Sequence, residues 1–414
     1  MTYFQSVHTM WRRWRGWRKK SPFACAGPVL GQSRGDDIPL EKSGDHVKKK
    51  LVAFFKKHAV LVAAAVCAAA SAFFVPPDET YISYLDLRVL CLLFSLMVVV
   101  AGLQSCNVFA VLSQKLLQGK RNLRALVLLL VLLPFFSSML ITNDVALITF
   151  VPFAILVLSF LGERWHLIKV IVLQTVAANL GSMATPFGNP QNLYLYTTFS
   201  ISPLDFLLIM GKFTGCSLLL LLLCGFLFPK ETRTVRFPQK AAVSSRLDVT
   251  LYGMLFVCCL LAVLHVLPYW AALVLVAGVT LWRNPSLLKR ADYGLLLTFV
   301  CFFIFSGNMG RIPYFQDLFS GFLNTAPVAT AIISSQVISN VPAAVLLSRF
   351  TGDGASLLIG TNLGGLGTLI ASLASLISFQ FYTAQPDAKP LRYLGVFTLF
   401  NLGFLAVLWL MTLL

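Results

Sequence analysis

The chain has 414 residues, 57% of them hydrophobic and 12% charged, with a formal net charge of +17 and a mean hydropathy of +0.80. Soluble domains carry about 25% charged residues, so the composition excludes an ordinary soluble domain, and the apolar residues come in blocks of about 20, the number that a bilayer core requires. The positive charge does not make a nucleic-acid surface, because Lys and Arg fall between the apolar blocks rather than in one patch.

Residues 1–50 read as a basic cytoplasmic arm. Its run Trp11-Arg12-Arg13-Trp14-Arg15-Gly16-Trp17-Arg18-Lys19-Lys20 interleaves cations with indole rings. That is the pattern of a segment drawn to anionic lipid, although a plain leader fits it equally well. No apolar core of a signal peptide follows until about residue 51. Apolar blocks then occupy about 59–75, 85–103, 166–200 (interrupted), 204–228, 249–267, 269–282, 293–308, 356–381 (interrupted) and 393–414, which gives nine crossings. The stretches 125–160 and 325–350 are apolar but broken by polar residues, and read as re-entrant helical hairpins. The expected fold is an all-α polytopic membrane protein with about nine transmembrane helices plus two re-entrant hairpins. Its divisions are the arm 1–50, a first transmembrane repeat 51–228, a cytoplasmic linker 229–247 and a second repeat 248–414.

Orientation follows from the cytoplasmic bias of Lys and Arg. With the N-terminus inside and both hairpins re-entrant, 29 of the 33 Lys and Arg fall on the inner face; the exceptions are Arg88, Lys212, Arg311 and Arg349. The C-terminus is then outside, and the expected location is the cell (inner) membrane. Arg349 and Asp353, flanking the outer end of the second hairpin, are expected to pair at the surface. Cysteines such as Cys67, Cys91, Cys224, Cys258 and Cys259 lie inside apolar blocks without metal-type spacing. They read as small buried hydrophobes.

The chain repeats itself. Asp86-Leu-Arg-Val-Leu opens one span and Asp292-Tyr-Gly-Leu-Leu another. Ser137-Ser138-Met139-Leu140-Ile141-Thr142-Asn143-Asp144 in the first hairpin matches Ser334-Ser335-Gln336-Val337-Ile338-Ser339-Asn340-Val341 in the second. The stretch 178–193 aligns without gaps on 361–376, with Asn, Leu, Gly and Thr in common. Five crossings separate the spans that begin at Asp86 and Asp292, so the repeat is inverted. Inverted repeats with interrupted helices near the midplane are a common plan of secondary transporters.

The breaks and tips carry the chemistry. Pro186 and Pro190 interrupt helical hydrogen bonding at membrane depth, where irregular backbone is tolerated only against protein or a watery cavity. Freed carbonyls with Asn and Thr oxygens suit Na+, and freed N–H groups at helix starts suit an anion. Ser, Asn and Thr at the hairpin tips also read as caps of the following helix. The candidate cation and substrate residues are Thr142, Asn143 and Asp144; Thr185, Gly188, Asn189 and Asn192; Ser339 and Asn340; and Asn362, Gly365, Thr368, Ser372 and Ser375. Na+ is expected at Asn143, Asp144, Gly188 and Asn340. Asp144 is the lone carboxylate of either tip or broken helix, and an acid at such depth is functional by default.

At these residues the chain resembles the ion transporter superfamily of citrate-transporter-like permeases, arsenite efflux pumps, one class of sodium/proton antiporters and the divalent anion:sodium symporters. The resemblance spans about 59–414 and rests on Thr142-Asn143-Asp144, Gly188-Asn189-Pro190-Gln191-Asn192, Ser339-Asn340-Val341, Gly364-Gly365-Leu366-Gly367-Thr368 and Ser372-Leu373-Ala374-Ser375-Leu376. It implies a scaffold bundle and a moving transport bundle, assembled as a homodimer. In the dicarboxylate symporters both tips carry Ser-Asn-Thr, which contact sodium and substrate carboxylates; this chain departs at the third positions with Asp144 and Val341.

The expected activity is secondary transport of a small anion coupled to Na+ or H+. The alternative is a cation-coupled antiporter, for arsenite or another metalloid or for Na+/H+ exchange. No HExxH, Ser/His pair or acidic metal cluster points to an enzyme, and no cofactor beyond the coupling ion is expected.

Overall fold

The computed structural model describes residues 59–235, 237 and 240–413, so the predicted arm 1–50 and Leu414 lie outside it. It opens with α1 (Ala59–Phe74), α2 (Thr80–Tyr84), α3 (Leu87–Ser105) and α4 (Val108–Leu117), then a short strand β1 (Gly119–Asn122). The first hairpin is α5 (Leu123–Ser137) and α6 (Asn143–Phe160), followed by α7 (Leu167–Ser182), α8 (Pro190–Thr198), α9 (Pro203–Cys224) and strand β2 (Thr232–Val235). After this come α10 (Arg246–Val263), α11 (Tyr269–Arg283), α12 (Tyr293–Met309) and α13 (Pro313–Thr325). The second hairpin is α14 (Pro327–Ile338) and α15 (Asn340–Leu347), and the chain closes with α16 (Gly354–Leu363), α17 (Leu373–Thr383) and α18 (Pro390–Leu410).

Among the described residues, five helices are long and apolar enough to cross a bilayer: α3, α6, α9 with the turn after it, α10 and α18. A sixth arises if α12 and α13, bent by 100° at their junction, are taken as one span. The chain is therefore a helical polytopic membrane protein. The nine expected crossings include α1, α11 and α12, which have 16, 15 and 17 residues, and leave out α6, which is long enough to cross although the sequence places it in a re-entrant hairpin; they also take each interrupted block as one. The chain splits those blocks into pairs, α7 with α8 and α16 with α17, none of which is long enough alone at about 1.5 Å per residue.

Local sequence sets the helix starts. Asp86 caps α3 by accepting from the Val89 N–H at 3.0 Å, and Asp292 caps α12 through the Leu295 N–H at 3.0 Å. The aspartates that mark the sequence repeat thus do the same job in both places, satisfying N–H groups that a helix start leaves open. At the centre, every residue of α7 from Val170 to Ser182 is buried. Its polar side chains Gln174, Thr175, Asn179 and Ser182 all find partners inside the protein, and α5, α6, α9, α17 and α18 all pack on it.

Besides the short helices α2 and α4, two elements have no counterpart in the sequence reading. Strands β1 and β2 pair antiparallel, Gly119 opposite Val235 and Asn122 opposite Thr232. The pairing runs on into α5, where the Leu123 N–H donates to the Glu231 carbonyl at 2.7 Å. Arg233 on β2 donates to the buried Glu163 carboxylate at 2.9 Å, which anchors the linker beside the first hairpin. The other element is α13, a short helix turned away from α12. The expected Arg349–Asp353 pair does not form. Asp353 caps α16 through the Ser356 N–H at 2.9 Å, and Arg349 reaches the Tyr84 carbonyl at 3.4 Å. A carboxylate beside a helix start finds backbone donors closer than a long side chain can come.

Candidate functional site

Four helices begin at the hairpin turns and the breaks: α6 at Asn143, α8 after Asn189, α15 at Asn340 and α17 after Ser372. Side-chain amides tie these starts together. Asn179, one turn before the end of α7, accepts from the Asn143 amide at 2.9 Å and from the Ser372 hydroxyl at 3.0 Å. It donates in turn to the Gly365 carbonyl at 3.4 Å. Next to Ser372, the Ala371 carbonyl accepts the Asn340 N–H at 3.0 Å and the Ser339 hydroxyl at 3.3 Å. Both hairpin tips and both breaks therefore meet in one buried polar cluster.

A second set of amides extends it. The Asn189 side-chain amide donates to the Ser182 hydroxyl and to the Asn362 side-chain oxygen Oδ1, each at 3.1 Å. Asn362 donates to Asn192 at 2.6 Å, and Asn192 to the backbone carbonyls of Ser182 and Thr185. Asn143, Asn179, Asn189, Asn192, Asn340, Asn362 and Ser372 are all buried. Buried amides of this kind are kept only when their hydrogen bonds are made, and here the partners come from opposite ends of the sequence.

Of the predicted Ser, Asn and Thr caps, only the asparagines bond at the helix starts. Neither Thr142 nor Ser339 makes a side-chain cap bond. The following asparagines do so instead: the Asn143 carbonyl oxygen takes the Asp144 N–H at 3.0 Å, and that of Asn340 takes the Val341 N–H at 2.9 Å. Ser339 cannot turn back as a normal cap because its backbone sits at φ 74°. For a residue with a side chain that region costs on the order of 1 kcal/mol or more and is found at functional sites.

The remaining candidates are spread around the cluster. Asp144 is half-buried in the first turn of α6, and its carboxylate is in none of the ion pairs among the described residues. The Thr185 hydroxyl donates to the Met139 carbonyl at 2.7 Å, which locks the first break to the first turn. Thr368 is exposed and held by Gln336, whose side-chain oxygen takes its N–H at 2.8 Å. Ser375 is buried, and its hydroxyl has no hydrogen-bond partner among the described residues. Two participants escaped the sequence reading. Asn179 stands opposite Asn362 in the repeat alignment, which was the available signal. Gln336 bridges the second hairpin to the Gly364 and Leu366 carbonyls at 2.8 and 2.9 Å.

Close backbone approach explains two glycines. At Gly188 a Cβ would collide with the Ser182 carbonyl and stand 2.9 Å from that of Ser138. Gly188→Ala is expected to cost about 1–3 kcal/mol, as overpacking typically does; a thermal unfolding midpoint equal to that of the unsubstituted protein would contradict this. At Gly365 the same position is 3.1 Å from the Asn340 amide nitrogen, so the absent side chain leaves the second tip against open backbone.

The cluster is built from neutral oxygens and from the two kinds of helix end. The C-terminal ends of α7 and α16 lie beside it, where the dipole favours a cation, and four helix starts face it, where the dipole favours an anion. Among the described residues no group of three or more His, Cys, Asp or Glu could hold a metal ion.

Comparison with known proteins gives a consistent result. Residues 50–353 match the family model described as citrate transporter. An uncharacterized transporter of Methanocaldococcus jannaschii is 32% identical over 290 residues, 70% of this chain and 79% of that protein. The inner membrane protein YbiR of Escherichia coli is 32% identical over 307 residues, 73% of this chain and 82% of that protein. A silicon efflux transporter of Oryza sativa subsp. japonica is 36% identical over 159 residues, 37% of this chain and 31% of that protein.

Proposed function

Because the chain belongs to the citrate transporter family, we propose that it is a secondary active transporter carrying a small anion across the inner membrane, coupled to Na+ or H+. The observation that carries this reading is the meeting of four helix starts with two helix ends in one buried cluster. Helix starts supply N–H donors and positive potential to an anion, and the ends supply carbonyls to a cation. A bound cation next to the anion offsets the carboxylate of Asp144, which would otherwise repel it. Asn143, Asn340 and the backbone beside Gly188 and Gly365 are the proposed Na+ ligands. Asn189, Asn192, Asn362, Ser339, Ser372 and the threonines frame the anion.

In this reading α5–α6 and α14–α15 are the re-entrant hairpins of an inverted repeat with nine crossings, and the mature protein works as a homodimer. The antiparallel pairing of β1 with β2 is compatible with the crossing count alone, because it requires residues 119–122 and 232–235 to lie on one face, an even number of crossings apart. On a background without native cysteines, Ala242→Cys and Leu413→Cys should react with an impermeant maleimide from opposite sides of the membrane. Reaction of both from one side would remove the nine-crossing topology.

Uptake of a panel of carboxylates and inorganic oxyanions into proteoliposomes, with and without an inward Na+ or H+ gradient, tests the function. Gradient-driven uptake of at least one anion is expected, and none across the panel would overturn it. The similarity to a silicon efflux transporter favours one second reading, an antiporter that expels an oxyacid against an incoming cation. Counterflow that needs the cation on the opposite side of the solute would select it.

A further inference from the structure

Of the four basic residues that fall outside the inner face, two are accounted for by local partners. Arg311 is paired with Asp78 at 2.7 Å, and the Thr80 hydroxyl and then the Arg311 guanidinium hold Asp78 below the usual carboxylate range. Lys212 lies over the Phe213 ring. The other two, Arg88 and Arg349, line one polar cavity of about 610 Å3, within the range of small-molecule sites.

Both guanidiniums keep donors free of protein partners, Arg88 half-buried and Arg349 exposed to the cavity mouth. A guanidinium has five N–H donors. Arg349 makes one long bond, 3.4 Å to the Tyr84 carbonyl, and stacks toward the Tyr84 ring. Arg88 rests over the Tyr269 ring at 5.8 Å. Neither is in an ion pair among the described residues. Arg349 follows the C-terminus of α15, where a cation is favoured. Arg88 is in the first turn of α3, where the helix dipole opposes a cation, and on the face that disfavours basic residues. Asp86 also lines the cavity, with one carboxylate oxygen taken up by the Val89 N–H that it caps.

The cavity is joined to the buried cluster by two short helices. α8 begins after Asn189 and carries Tyr194 into the cavity wall; α15 begins at Asn340 and is followed by Ser348 and Arg349. The Tyr194 and Ser348 hydroxyls bond at 2.7 Å, which fixes the two helices together at the cavity. Eight residues of helix from Asn340 to Leu347 span about 12 Å at 1.5 Å per residue.

We infer that this cavity is an anion-binding vestibule: Arg88 and Arg349 hold a multi-oxygen anion, a carboxylate or other oxyanion, about 12 Å outside the transport site. This rests on the anion reading above. Bidentate guanidinium contacts suit such anions better than single point charges do. The vestibule selects for charge before the anion sheds water at the deeper cluster.

The test is arginine modification by phenylglyoxal in the full-length protein, reconstituted in phosphatidylcholine liposomes at constant ionic strength in chloride. Millimolar citrate or inorganic phosphate is expected to slow modification of Arg88 and Arg349 by about tenfold, while Arg392, outside the cavity, reacts at an unchanged rate. Equal rates with and without either anion overturn the vestibule. Slowing caused only by added phosphatidylglycerol, and not by free anion, also overturns it by assigning the site to lipid headgroups. Protection should persist in Asn340→Ala, which separates this site from the deeper one. If protection is seen but no anion is carried by the unsubstituted protein, the transport reading fails and the vestibule stands. If uptake is intact but protection is absent, the reverse holds.

Discussion

Asn143→Ala and Asn340→Ala are each expected to reduce transport by on the order of tenfold to a hundredfold, the range set by losing one bond to a charged group at 1.5–3 kcal/mol. Both asparagines open a helix at a hairpin tip, and both use the side-chain oxygen on the next backbone N–H. The Asn143 amide also reaches Asn179, while Asn340 faces the open backbone at Gly365. Removing either amide takes an oxygen from a place where water does not easily substitute. Either variant loses two neutral bonds from the folded state, each worth about 1 kcal/mol, so insertion and elution as a monodisperse species should survive. Uptake at the unsubstituted rate by either variant would return the tips to a purely structural role.

Asp144→Asn is expected to break the coupling to the cation. The carboxylate stands in the first turn of α6 beside Asn143, with no ion-pair partner among the described residues. If Na+ is the coupling ion, the substitution keeps an oxygen and loses the charge, and half-saturation by Na+ should rise by about tenfold or more. Acid should then inhibit the unsubstituted protein by competing for the same oxygen. If H+ is the coupling ion, an inward proton gradient should drive uptake, and the variant should lose that response. Unchanged cation affinity, rate and pH profile would leave coupling to the amide and backbone oxygens alone.

Much of the site was legible because its signals are local. Pro, Gly and Asn inside apolar blocks mark the breaks, and polar triplets mark the tips. The recurrence of Asp86 as Asp292 marked the two helix starts, but the capping that both side chains perform there was not read from it. Partnerships were not legible, because they join positions far apart in the chain. Asn179 bonds to residues some 36 positions before it and 193 after it, and only its alignment with Asn362 hinted at this. The strands β1 and β2 read Gly-Lys-Arg-Asn and Thr-Arg-Thr-Val, with none of the apolar alternation by which a strand is recognised. α13 is 13 residues long, too short to register as a span. The Arg349–Asp353 expectation failed for a related reason: closeness in sequence did not reveal which backbone donors each side chain would meet first.

The ribbon of β1 with β2 also bears on how the molecule is made. When the ribosome has delivered the chain as far as α9, the segment 119–122 is already present but its pairing strand, 232–235, is not. At that stage Asn179 lacks Gly365 and Ser372, and Asn189 lacks Asn362. In the proposed topology the early part thus waits with an open strand edge at the inner face and unanswered amides within the bilayer, each a point at which a misplaced partner could bind. Completion comes from the later part of the same chain, so biogenesis has a waiting state whose length is set by translation. A chain cut in the linker should assemble only when both pieces are synthesised together, with the first piece alone being degraded.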